Sequence, residues 1–298
     1  MGIGEALLKK ENLELVTKKA WKKSRPLIID KGMEYYDKHP KDVERIVANL
    51  EYMDMPSSGT FLDNVLKEIS AHYFEKLFVL TAAYEAYWVA EKKVEMDPDF
   101  KAVQDAVKRN EPVFIGQSHF GASYLIAISL MVRDIDFSFV GRFPEPVGSM
   151  LKKNADFLTE RYKTASTRII NIADKNIDVP YEMFSALIRK EVISNVFDEN
   201  NEFCKKVELL GKPLMGGSGM DEILKRFSNK PITVVTPFVV RTSGDSFRFE
   251  LDLHSPDPEN IIDSFYRSLE KRVEKYPEQW YFIHELHNSF PSSQKQVD

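Results

Sequence analysis

Between residues 40 and 92 apolar side chains recur at every third or fourth position. The stretches "PKDVERIVANLEYM" and "FLDNVLKEISAHYFEKLFVLTAAYEAYWVAEK" carry the spacing of helices with one buried face. "MPSSGT" (residues 55–60) interrupts them, and Thr60 or Asp63 is expected to cap the second helix. At residue 111 the period changes. "EPVFIGQS" is a short apolar run closed by Gly and Ser, which predicts a buried strand, and "FGASYLIAISLMV" predicts a helix. Further along, "FSFVGR", "STRIINIA" and "EVISNVF" predict strands, the last running into the turn-rich "DENNEF". "VPYEMFSALIRK" and "GMDEILKRF" predict helices.

Two strands and a helix close the pattern. "ITVVTPFVVR" is rich in β-branched residues, and "SFRFELDLH" alternates, with Phe247, Phe249, Leu251 and Leu253 on one face and Arg248, Glu250 and Asp252 on the other. "TSGD" between them predicts a hairpin turn. "ENIIDSFYRSLEKRVEKYPEQWYFIHELH" predicts a helix broken at Pro277. Strands alternating with helices predict an α/β fold: a central mixed sheet covered by helices, over residues 111–298, with a helical N-terminal lobe over 1–110, together one compact domain.

The chain has 298 residues, 43% of them hydrophobic, enough for a substantial core. A net charge of −5 argues against general nucleic-acid binding, which needs a basic excess. The lone Cys204 excludes an internal disulfide and a cysteine-rich zinc site and fits a reducing, cytoplasmic setting. The start, "MGIGEALLKKENLELVTKKAWKKSRPL", holds no apolar run long enough for a signal peptide or a membrane anchor, and Ala6 stands where a myristoylation signal wants Ser or Thr. Its lysines predict a solvated helix face, with at most peripheral contact to the inner face of a membrane or to an acidic carrier protein.

"GQSHFGASYL" (residues 116–125) concentrates the chemistry. His119 falls between the predicted strand and the helix after it, where open α/β sheets place their sites. A helix N-terminus there is expected to lower the imidazole's pKa and keep it a neutral general base. Gly116 and Gly121 are expected to let a substrate approach the backbone. The competing reading is a partly buried helix-capping histidine. Of the other histidines, His39 lies in a polar turn, His72 inside a helical pattern and His254 after the last strand. His284 and His287 are three apart without a matching acid or thiolate, so no metal or cofactor is expected.

Taken in order, six segments resemble the late acyltransferases of lipid A biosynthesis, lauroyl and myristoyl transferases of the lysophospholipid acyltransferase superfamily. They are "VERIVANLEYM", "GQSHFGASY", "FVGRFPEPVGSMLKKNADFLTERY", "ISNVFDENNEF" with "VELLGKPLMGGSGM", "ITVVTPFVVR", and "LEKRVEKYPEQWYFIHELH". The resemblance implies a glycerolipid acyltransferase-like fold. It also implies transfer of an acyl group from a thioester, on acyl carrier protein or coenzyme A as substrate, to a hydroxyl or amine of a small-molecule or lipid acceptor. His119 matches the family's catalytic base, and Arg142, Asp198 and Arg241 match its basic, acidic and strand-ending positions.

The match departs from the family at two points. The acid of the H-x-x-x-x-[DE] motif is replaced by Tyr124, which carries no charge near neutral pH. Asp198 and Glu199 are the candidates to replace it. The family's N-terminal membrane anchor is also missing, which points to a member repurposed for small-molecule or carrier-bound acceptors in specialised metabolism. Ser118 and Ser123 flank the histidine and offer an alternative covalent route, although neither sits in a nucleophile elbow. Two other activities stand beside transfer: a non-catalytic acyl- or carrier-binding relative, and a thioester hydrolase.

Overall fold

The computed structural model describes residues 2–199, 204–227, 229–243, 245–255 and 260–291. The end of the "DENNEF" turn (200–203) and the glycine of "TSGD" (244) lie outside them. Helices open the chain: α1 (Ile3–Leu7), α2 (Lys10–Lys18), α3 (Trp21–Lys38), α4 (Pro40–Tyr52), α5 (Gly59–Thr81) and α6 (Ala83–Lys92). The cap expected from Thr60 or Asp63 is not used, because α5 already begins at Gly59. α5 is buried from Val65 onward on most of its faces and packs against α2, α3, α6, α8 and α9. Trp21 locks α3 to it, edge-on to Phe74 at 4.7 Å and to Phe78 at 4.6 Å.

After α6 come β1 (Val94–Met96), α7 (Phe100–Lys108), β2 (Val113–Gln117), α8 (Tyr124–Met131), β3 (Phe137–Gly141), α9 (Val147–Tyr162), β4 (Thr167–Asn171), α10 (Val179–Ile188) and β5 (Val192–Val196). The chain continues with β6 (Cys204–Leu209), β7 (Lys212–Gly217), α11 (Gly219–Lys225), β8 (Thr233–Ser243), β9 (Ser246–His254) and α12 (Ile261–Lys275). The fold is α/β. Among the described residues seven strands form a mostly parallel sheet in the order β1-β9-β8-β2-β5-β3-β4, in which β8 and β9 are antiparallel.

The central strand β2 is buried at every position, as its unbroken apolar run requires when both faces are covered. The polar face of β9 is covered too. Arg272 of α12 reaches Asp252 with two bonds of 2.7 and 2.8 Å and Glu250 with one of 3.2 Å, so the alternation marks a charged layer under a helix.

Four features differ from the expectations. β1, within the helical lead-in, joins the sheet edge beside β9. The block "VELLGKPLMGGSGM" folds as a separate hairpin, β6–β7, turned at Leu210 and Gly211 with positive φ. α9 stands where only a motif block was read. Beyond Pro277 the chain continues as short 3-10 turns (277–279, 281–284, 286–289) instead of an α-helix.

Candidate active site

β2 and β5 are parallel neighbours, with Gln117 opposite Val196. The Phe197 N–H donates to the Gln117 carbonyl at 2.9 Å, so the two chains leave the sheet side by side. Two residues past that last pair stand His119 and Asp198. Asp198 is almost wholly buried. One of its oxygens accepts the His119 backbone N–H at 2.8 Å, and the other lies 2.8 Å from Nδ1. On the far side of the ring, Nε2 lies 3.1 Å from Glu199 Oε1. Phe282 stacks on the imidazole at 5.2 Å and Tyr281 meets it edge-on at 5.4 Å.

Burial of the ring favours its neutral form, but the charge and hydrogen bonds of Asp198 and then Glu199 outweigh it and hold the pKa well above the ordinary histidine value. The expected neutral imidazole is therefore corrected. Tyr124, not His119, opens α8, so the ring stands in the loop before the helix and answers to two carboxylates rather than to the helix dipole. Glu199 is held below the usual carboxylate range, first by its hydrogen bond to His119.

The loop carrying His119 is braced from beneath. The Gly121 N–H donates to the Gln279 carbonyl at 2.9 Å and the Ala122 N–H to the Val239 carbonyl at 2.7 Å. The Gln279 side chain bonds both the N–H and the carbonyl of Arg241 at 2.9 Å. Arg241 reaches the Gly121 carbonyl at 3.0 Å, Glu75 with two bonds of 2.7 and 2.6 Å, and Glu68 with one of 2.7 Å. Arg241, which matches the family's strand-ending position, is thus a buried guanidinium held by two carboxylates and a backbone carbonyl, and it does not line the cavity beside His119.

The two glycines also act differently from the expectation. A Cβ on Gly116 would lie 2.6 Å from the Phe265 ring, so this residue admits α12 rather than a substrate. Gly121 has φ +58°, and a Cβ there would lie 2.2 Å from the Val239 carbonyl. Gly121→Ala is expected to displace the His119 loop, lowering the melting temperature and reducing any His119-dependent turnover about tenfold or more, on the order of the strain of a left-handed alanine plus the clash. Gly211→Ala is the control, with φ +71° and open space around it. It should cost about 1 kcal/mol and leave turnover unchanged, as thermal melts and a rate assay would read.

A cavity of about 810 Å³ opens beside His119, within the range of small-molecule sites. Its lining is mostly apolar and includes Met131 of α8, Leu151, Ala155 and Leu158 of α9, and Met183 of α10, together with His119, Glu199, Tyr124 and Ser123. Of the sequence candidates, His119, Ser118, Tyr124 and Arg142 line this cavity, and Asp198 lies behind His119. Ser118 Oγ is buried without a hydrogen-bond partner among the described residues, and Ser123 Oγ lies 3.2 Å from the Tyr281 hydroxyl. Both ring nitrogens of His119 face carboxylates, so neither serine is activated by it.

Sequence reasoning passed over two further wall residues. His72 lies stacked on Tyr281 at 3.4 Å, and burial, reinforced by Lys76, holds it well below the ordinary value and neutral. Lys76 projects its ammonium 5.7 Å from the centre of the Tyr124 ring. Both lie within the apolar pattern of α5, where a polar residue among buried neighbours is the only signal available. His284 and Glu285 form a pair of 3.4 Å on the cavity's edge, His39 closes α3, and His254 lies 2.8 Å from Thr236. Among the described residues no cluster of three potential metal ligands occurs, and no helix is long and apolar enough to cross a membrane.

No family model matches the chain, and no curated protein matches it. The geometry of the His119 site therefore carries the functional reading.

Proposed function

We propose that the protein transfers an acyl group from a thioester to a hydroxyl or amine, with His119 as the base and Asp198 as its orienting acid. The observation that carries this reading is the His119–Asp198 pair on the wall of a cavity whose lining is mostly apolar. In the lipid A acyltransferases that the sequence resembles, the orienting acid lies five residues after the histidine. In this chain Tyr124 holds that position, and the register of β2 with β5 supplies a carboxylate to Nδ1 from another strand. A glycerolipid acyltransferase-like arrangement of the sheet belongs to the same proposal.

The acyl chain lies against the apolar lining of the cavity and presents its carbonyl to the ring. The acceptor's O–H or N–H takes the place opposite Nε2 that Glu199 occupies in this structure. As the acceptor attacks, Nε2 takes its proton, the new C–O or C–N bond forms and the C–S bond breaks. The imidazolium then returns the proton to the leaving thiolate. Asp198, accepting from Nδ1–H, keeps the tautomer in which Nε2 has a free lone pair and stabilises the charge that forms.

The decisive experiment offers acyl carrier protein or coenzyme A thioesters with mixed alcohol and amine acceptors and follows thiol release and acyl product. The wild type should transfer, and His119→Ala should be slower by about 10²- to 10⁴-fold while the protein still folds. Acceptor-independent thiol release would indicate a hydrolase. Acyl binding without thiol release would indicate a binding protein.

A further inference from the structure

We infer that the outer faces of α6 and α9, with the start of α3, form a docking surface for an anionic lipid bilayer. Large aromatic side chains rarely lie together in water without a partner. Here Tyr84 is 50%, Phe157 43% and Trp88 39% exposed. They form one patch through their rings: Tyr84 lies 6.3 Å from Trp88 and 5.8 Å from Tyr162, and Tyr162 lies 6.4 Å from Phe157. Tyr162 is fixed beneath them by stacking on Tyr87 at 4.5 Å. The patch is thus joined by ring contacts, and it is made of the residue types that settle at a membrane–water boundary.

Charge selects the partner. The Trp21 backbone N–H donates to Glu85 at 3.0 Å, which pins the start of α3 against α6. Glu85 and Trp88 are three residues apart and share one side of their helix. The exposed lysines flanking Trp21, namely Lys18, Lys19, Lys22 and Lys23, therefore sit on the segment that this bond ties to α6. Lys92, one turn beyond Trp88, places its ammonium 5.6 Å from that ring. Lys18 pairs with Glu14 at 3.6 Å, Lys22 with Asp245 at 3.8 Å and Lys92 with Glu91 at 3.4 Å, yet each ammonium stays exposed. With Lys19 and Lys23 they present cations around exposed aromatics in a chain of net charge −5, the combination that binds anionic headgroups while burying rings at the acyl boundary. A two-fold dimer through the same patch would bring its lysine run against an identical one, a repulsive arrangement. Leu151, Ala155 and Leu158 of α9 line the cavity, so the docked helix would separate the bilayer from the apolar pocket by its own thickness. The surface stands independently of the acyl-transfer reading.

The chain carries its own reporter. Trp21 and Trp280 are buried, so an environment-dependent shift in tryptophan emission comes from Trp88. Vesicles of phosphatidylcholine with a quarter phosphatidylglycerol are expected to shift the emission to the blue and to co-sediment with the protein, with high salt reversing both. Pure phosphatidylcholine vesicles should do neither. Trp88→Phe should abolish the shift while the protein still sediments. Tyr84→Ser/Phe157→Ser should abolish sedimentation. Lys19→Gln/Lys23→Gln should weaken it about 25-fold, roughly fivefold per lysine, and serves as the test if the aromatic double variant misfolds. The inference fails if anionic vesicles give no shift, if neutral vesicles bind equally, or if both double variants bind as wild type. It also fails if the patch proves to be buried in a dimer that Tyr84→Ser/Phe157→Ser dissociates.

Discussion

Asp198→Asn is expected to lower acyl transfer on the order of 10³- to 10⁴-fold while leaving the fold intact. One carboxylate oxygen accepts the His119 backbone N–H and the other faces Nδ1. An asparagine must keep its carbonyl on the backbone N–H, so its NH2 faces the ring. Nδ1 then becomes the acceptor, the proton moves to Nε2, and the nitrogen that should take the acceptor's proton is already protonated. Proton NMR of the imidazole reads the same change without any substrate. In the wild type the folded pKa is raised, so the ring's contribution to stability is complete below the unfolded value of about 6.5 and is lost as pH rises through the folded value. Base catalysis has the opposite sign, because the free protein must lose that proton, so kcat/KM should climb through the window in which stability falls. Asp198→Asn should move both transitions to lower pH. A titration midpoint and a rate unchanged from wild type would remove Asp198 from the mechanism.

Arg241→Met should be the most destabilising of the substitutions considered, by about 3–5 kcal/mol. Burial pushes the Glu75 carboxyl up, and the Arg241 guanidinium is the chief influence opposing it. Without that cation, Glu75 is left buried against apolar neighbours, Glu68 loses its partner, and the Gly121 carbonyl loses a donor. For a chain of this size the loss corresponds to a fall in melting temperature of roughly 10 °C. Arg241→Met/Glu75→Leu should recover much of it, because an apolar pair in the same space leaves no uncompensated charge in the core and only the partly exposed Glu68 without its partner. The single variant should also lose turnover, through displacement of the His119 loop. Thermal melts of the two single variants and the double variant give the coupling, and an additive cycle would show that the pair does not act as a unit.

Much of the fold could be read from periodicity. The all-apolar β2, the β-branched β8 and the alternating β9 each announce a strand buried in a particular way, and α4, α5 and α12 follow from three- and four-residue spacing. The elements that escaped carry weak local signals. β1 is three residues long and is defined by its partner β9. β6 and β7 contain lysines, a proline and glycines, and pair only because Leu210 and Gly211 turn the chain back. His119 was legible because a titratable ring between an apolar strand and an apolar helix has few structural reasons to be there.

The protonation state of His119 and the role of Arg241 were not legible, and the reason is geometric. Asp198 lies 79 residues from His119, and Glu75 lies 166 residues from Arg241. Local pattern carries no information about which distant carboxylate will meet a given cation. By itself the sequence determined the alternation of helices and strands, the placing of an imidazole after the central strand, and the absence of any thiol pair. Tertiary structure decided what that imidazole is. The parallel register of β2 and β5 aligns two loops so that a carboxylate meets Nδ1, and at such short range in a buried site that charge outweighs both desolvation and any helix dipole.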